Sequence, residues 1–173
     1  MNAFDSACEV EREGMPFLQE HYERYLRREV FWVPSGRGCP IAKRLQVDLH
    51  ADGLYVANGK VCRIDAKIES EWTGRLFLET WSNKSEKTPG WLFAQPAKNL
   101  EIAYLFVDRQ ALFVLSLTSL QSWAVTNGLA RFHPVKQGRR EQKNDTWGRV
   151  VPVAVLRAEV GFLYEFNAPA EAA

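Results

Sequence analysis

Long apolar runs are missing from this chain, and so are clustered cysteines, clustered histidines and any large excess of charge. No stretch reaches the roughly 20 apolar residues that a membrane-spanning helix needs. The start, Met1-Asn2-Ala3-Phe4-Asp5, lacks the basic and apolar regions of a secretory signal. A cytoplasmic protein with no membrane partner is therefore expected. Cys8, Cys39 and Cys62 are odd in number and far apart, which indicates neither a disulfide framework nor a zinc motif. Cys62 reads instead as a small apolar core residue. His21, His50 and His133 show no metal-ligand spacing. There is no Gly-rich phosphate loop, no nucleophile elbow, no internal repeat and no low-complexity segment. Net charge is only +1, so any affinity for a polyanion has to come from a local patch.

What is present suits a packed domain. A hydrophobic fraction of 46% and an aromatic fraction of 12% exclude disorder as the main state. A chain of 173 residues builds one core of ordinary size, so a single domain over residues 1–173 is expected, with a frayed tail after 167. Leu18, Tyr22, Tyr25, Leu26 and Val30 mark an amphipathic helix from about Pro16 to Val30. On it Glu20 and Glu23 pair at helical spacing with Arg24, Arg27 and Arg28, a solvated face. The run Pro34-Ser35-Gly36-Arg37-Gly38-Cys39-Pro40 breaks the chain. Three acid-bearing strands follow in an antiparallel meander, then a polar loop from Asn83 to Gly90. A buried hairpin turns at Asp108-Arg109-Gln110. Thr118 caps a helix from Ser119 to Asn127 that Gly128 ends, and a further strand or buried run spans Val150 to Leu156.

The acid-bearing strands carry the chemistry. Asp48 lies in Leu45-Gln46-Val47-Asp48-Leu49, Asp65 and Lys67 in Val61-Cys62-Arg63-Ile64-Asp65-Ala66-Lys67-Ile68, and Glu79 in Leu76-Phe77-Leu78-Glu79-Thr80. Strand side chains alternate, so Asp65 and Lys67 share one face while Cys62, Ile64, Ala66 and Ile68 line the other. With Asp48 opposite on the neighbouring strand, two carboxylates would converge beside a lysine. Magnesium takes hard oxygen ligands and keeps several waters, so Asp48, Asp65 and the Ala66 carbonyl suffice to hold it. Lys67 would then orient the attacking water, and Glu79 would serve as a metal ligand or base. The plainer reading treats Asp48 as the opening of a turn at His50-Ala51-Asp52-Gly53, Asp65 and Lys67 as a solvated strand face, and Glu79 as a surface acid.

An aspartate on one strand followed by Asp65-Ala66-Lys67 on the next resembles the PD-(D/E)XK nuclease superfamily, particularly its small phage and mobile-element members. Gln46, Leu78-Glu79, Pro89-Gly90-Trp91-Leu92, the strand at Ile102–Phe106, Asn144-Asp145-Thr146 and Val151-Pro152-Val153 fit the same resemblance, which spans about residues 43 to 155. Val47 stands where the pattern has proline, and Asp65 where glutamate is commoner. The resemblance implies an α/β (α+β) fold with a restriction-endonuclease-like mixed sheet, largely an antiparallel meander, with flanking helices. It also implies Mg2+- or Mn2+-dependent hydrolysis of DNA, and a homodimer, since many such nucleases cut both strands as dimers. Arg131, Lys136, Arg139, Arg140 and Lys143, against the lone Glu141, form a basic loop suited to the DNA backbone, or else a solubilising surface. The competing function is a catalytically inactive member of this fold that acts as a DNA-binding or protein-interaction module.

Overall fold

The computed structural model describes residues 3–33, 44, 48–49, 51–94, 97–137 and 145–167. It is a mixed α/β structure that divides into two compact units, each with its own sheet. The first unit comprises residues 1–72, 99–115 and 163–170, and the second residues 73–98, 116–162 and 171–173. The expected break at 34–40 and the tail after 167 lie outside the described residues.

The first unit opens with α1 (Ala3–Glu20), which runs straight through Pro16 rather than beginning there. Proline removes one intrahelical donor, and Pro16 lies on the exposed side of the helix, where water can serve the orphaned carbonyl. A π-helical turn at His21–Tyr25 ends the helix. The strands β1 (Phe31–Trp32), β2 (Gly53–Ala57) and β3 (Lys60–Glu69) follow in sequence. The chain then leaves this sheet through β4 (Arg75–Asn83) and β5 (Thr88–Pro89) and returns as β6 (Leu100–Phe106) and β7 (Ala111–Ser116). A final β10 (Tyr164–Phe166) closes the order β1-β2-β3-β6-β7-β10. The sheet is mixed: β1, β2 and β3 pair antiparallel in turn, whereas β6 runs parallel to β3.

The apolar stripe of α1 meets one face of this sheet. Leu18 and Tyr22 pack with Tyr55, Ile64, Ala103, Leu105, Leu112 and Val114, and Cys62, Ala66 and Ile68 lie against that cluster. Gly14 permits the closest approach, since a Cβ there would lie 2.6 Å from Ile68 Cγ2. The two apolar runs around Asp108-Arg109-Gln110 become β6 and β7, both buried, with Trp72 stacked on Phe113 at 5.4 Å between ring centroids.

The second unit holds the sheet β5-β4-β9-β8, in which β8 is Pro134–Lys136 and β9 is Trp147–Pro152. Its helices are α2 (Leu117–Trp123) and α3 (Val153–Glu159). Ser116, not Thr118, caps α2: its side chain accepts the Ser119 N–H. Gly128 keeps right-handed helical dihedrals, so helical structure passes through it into a 3-10 turn at Leu129–Arg131. The expected strand at Val150–Leu156 is half strand and half helix, changing at Pro152, which has no N–H to continue the ladder. No helix among the described residues is long and apolar enough to cross a membrane.

Candidate active site

The hairpin of β2 and β3 sets the geometry. Asn58 and Gly59 form its two-residue turn with φ of 51° and 70°. These left-handed values suit Asn-Gly and give the turn a twist that matches its strands. Pairing then runs from Ala57↔Lys60 to Gly53↔Ile64, where the ladder ends, and Asp52 bends away from the strand at that point. Backbone bonds hold it there: the Asp52 N–H donates to the Ile64 carbonyl at 2.7 Å, and the Val33 N–H donates to the Asp52 carbonyl at 2.8 Å. Asp65 and Lys67 lie on the face of β3 opposite α1, and Asp52 sits at the end of the ladder, where the charges of Asp65, Lys67 and, on α1, Glu11 all act on it.

The charges interlock at short range. Asp65 is only 8% exposed, and its Oδ1 accepts from Lys67 Nζ at 2.6 Å. The Ala66 N–H, between the two, donates to Asp52 Oδ2 at 2.8 Å. Burial, followed by the Asp65 charge, pushes the Asp52 carboxyl above the ordinary carboxylate range, while the Ala66 N–H and Lys67 pull it back. Further along the same face Glu69 accepts from the Tyr104 hydroxyl at 2.9 Å. Arg63 donates to the Leu49 carbonyl at 3.0 Å, fastening the segment just before Asp52 to β3. Among the described residues no group of three His, Cys, Asp or Glu side chains is set to hold a metal ion; Asp52 and Asp65 make two.

Asp48 is not on a strand. It is helical and exposed, and it pairs with Arg44 one turn earlier at 3.5 Å. Asp52, which the turn reading assigned to a hairpin bend, takes the place expected of Asp48. The missed signal was Asn58-Gly59, since fixing the turn there pairs Gly53 with Ile64 and brings Asp52 to the end of the ladder, beside Ala66. Glu79 is also displaced from expectation. Its strand, β4, does not pair with β3, whose neighbours are β2 and β6; it belongs to the sheet of the second unit, paired with β9 at Gly148.

In the basic loop, Arg131 is paired with Glu159 at 2.5 Å and Lys136 with Asp145 at 2.9 Å. Arg139, Arg140 and Lys143 lie outside the described residues. Asp145 also accepts from Ser85 and from the Trp147 indole, and these three donors hold its carboxyl far below the usual range.

Two buried polar groups lie on the α1 face of the first sheet. Glu101 accepts from Arg28 at 3.0 and 2.7 Å, from the Tyr55 hydroxyl at 2.6 Å and from the Tyr22 hydroxyl at 3.3 Å. Burial and the Glu101 charge push both phenols well above their ordinary range. His21 is 3% exposed and neither ring nitrogen has a hydrogen-bond partner. It stacks between Phe17 at 4.3 Å and Tyr25 at 4.7 Å, with Phe166 edge-on at 4.1 Å. His133 is exposed, and His50 lies outside the described residues.

No family model matches the chain, and neither a curated protein nor a solved structure is similar enough to count as a match.

Proposed function

We propose that the chain is a magnesium-dependent phosphodiesterase acting on DNA, with a restriction-endonuclease-like first unit and a site made of Asp52, Asp65 and Lys67. The observation that carries this reading is a pair of neighbouring carboxylates, Asp65 on β3 and Asp52 in the bend before β2, the second with its pKa raised by burial and by the first, next to a lysine two residues along from Asp65. Two acids forced together in a half-buried place destabilise the fold unless a cation joins them, and that is a donor set which suits Mg2+ or Mn2+. Two carboxylates are enough for magnesium, because waters and the substrate phosphate complete an octahedron. The Asp-x-Lys element of the resemblance lies on β3, with Asp52 rather than Asp48 beside it.

The residues divide the work as follows. Asp52 and Asp65 would hold the metal, which when bound supplies a Lewis acid and a more acidic water. The Ala66 N–H fixes one Asp52 oxygen against β3, so this carboxylate is held in place rather than recruited. Lys67 now neutralises Asp65; once a metal takes over that charge, its ammonium can turn to the attacking water or to charge growing on the phosphate. Glu79 has no part in this scheme.

The test is cleavage of supercoiled, linear and single-stranded DNA with magnesium or manganese by the native chain, Asp52→Asn, Asp65→Asn, Lys67→Ala and Asp48→Asn. Metal-dependent cutting abolished by the first three substitutions and kept by Asp48→Asn supports the reading. A folded native chain that binds DNA without cutting it refutes turnover and favours the non-catalytic module.

A further inference from the structure

The sheet of the second unit carries an aromatic and basic row that the proposed chemistry does not use. Register sets Pro89, Trp81, Trp147 and Lys136 side by side across all four strands. Directly opposed residues share a face, so both indoles and the lysine lie on one side of the sheet. Trp81 is 37% exposed, a large share for a tryptophan, and Pro89 and Lys136 are exposed as well. The half-buried Trp147 is fixed in place: its indole N–H donates to Asp145 at 2.8 Å, and Lys84 Nζ lies 4.1 Å from its ring centroid. Asp145 thus anchors an indole and a lysine together and leaves Lys84 exposed above the ring.

We infer that this row is a binding surface for single-stranded nucleic acid, with bases stacking on Trp81 and Trp147 and Lys84 and Lys136 facing the phosphates. Aromatic rings offer every base a π-face without reading sequence, and lysines beside them match a phosphate backbone; this combination is how sequence-tolerant single-strand binders work. The sign of the field agrees. Lys84 and Lys136 are both exposed along the row, against one carboxylate, Asp145, which Ser85, Lys136 and the Trp147 indole already engage, so a polyanion is favoured over an uncharged polysaccharide, the other common ligand of tryptophan surfaces. In duplex DNA the bases are already stacked on each other and their faces are closed to the indoles, so the surface selects unpaired strands.

The experiment uses the full chain in EDTA, where metal-dependent turnover is silent and binding is not. The probes are a labelled 20-mer of thymidines, a mixed-sequence duplex of the same length, and heparin as a base-free polyanion. Expected are tryptophan quenching by the single strand, tighter binding of it than of the duplex, and weaker competition by heparin than by single-stranded DNA. Trp81→Ala should weaken single-strand binding about tenfold, and Lys84→Ala should reduce the slope of log K against log salt by about 0.7. Far-UV circular dichroism confirms folding; should Trp81→Ala not fold, the native quenching and Lys84→Ala decide. Equal affinity for duplex, heparin competing as well as single-stranded DNA, or a folded Trp81→Ala with unchanged affinity overturns the inference. It stands apart from the phosphodiesterase reading, because single-strand binding without any cutting would sink only that one, and cutting without single-strand preference would sink only this one.

Discussion

Replacing Asp52 by asparagine should stabilise the metal-free protein while removing its response to magnesium. Two unit charges about 5 Å apart repel by about 3 kcal/mol at an effective dielectric near 20. Lys67, 2.6 Å from Asp65, and the Ala66 N–H, 2.8 Å from Asp52, offset much of that, so a net gain of about 1 kcal/mol is expected, typical for relief of a strained functional site. For a chain of this size that is about 2–4 °C in melting temperature. The pH dependence has a definite sign. Because burial and the Asp65 charge raise the Asp52 carboxyl above the ordinary carboxylate range in the fold, its contribution to stability is fully present below that range and is lost as pH rises through the raised value. Asparagine removes this slope, so its advantage should be seen at neutral pH and vanish below about pH 4. Magnesium at a hundredfold its dissociation constant should stabilise the native chain by about 2.7 kcal/mol and leave the variant nearly unmoved. Differential scanning fluorimetry of native, Asp52→Asn and Asp48→Asn chains, with EDTA or magnesium, reads all of this. Should Asp52→Asn melt below the native chain in EDTA at pH 7, or still gain stability from magnesium, the paired-carboxylate reasoning is wrong.

Burial lowers the His21 pKa from 6.5, so the stability it contributes is complete above that pH and declines as acid charges the imidazole; His21→Phe should flatten the melting temperature between about pH 6.5 and 5, and an unchanged slope would exonerate His21. Removing the Glu101 charge strands Arg28 in a half-buried place, so Glu101→Gln should cost about 3 kcal/mol, the lower end for breaking a buried pair, in urea denaturation, whereas a loss under about 1 kcal/mol would show the site to be well hydrated. Gly59 sits at φ 70° with nothing within 4 Å of an added Cβ, so Gly59→Ala should lose about 1–2 kcal/mol through backbone conformation alone; a neutral result in the same assay would mean that the turn relaxes to another type.

What the sequence discloses here depends on range. The alternation along β3, with Asp65 and Lys67 on one face and Ile64, Ala66 and Ile68 on the other, follows from strand geometry alone. The hairpin of β6 and β7 is equally local, two apolar runs about a polar turn. Asp48 misled because a short apolar stretch around it fits helix or strand equally well, and the Asp52-Gly53 pair resembles a turn more than the start of a strand. Asn58-Gly59 outweighed it, since both of its residues adopt positive φ, a demand Asp52-Gly53 never meets. The parallel pairing of β3 with β6, and the departure of Glu79 to another sheet, are long-range outcomes with no local signature. His21 is a mixed case: Phe17 and Tyr25, one helical turn away on either side, stack on it and are local, whereas Phe166, which closes over its edge, lies far along the chain.

The parallel ladder between β3 and β6 also governs when the chain can fold. Arg63 pairs with Leu100 and Glu69 with Phe106, so the central ladder of the first unit waits until the strands of β4 and β5 have been made. Its last strand, β10, comes only after residues 73–98 and 116–162, which hold the whole second sheet, have been synthesised. On a ribosome, the hairpin bearing Asp52, Asp65 and Lys67 therefore emerges early with its flank open, and must persist without β6 while the inserted unit, whose own sheet is antiparallel, has time to form. Closing long loops is slow rather than very costly. Assembly of the acid pair is thereby tied to completion of the polypeptide, and a truncated chain would carry these residues on an unfinished sheet.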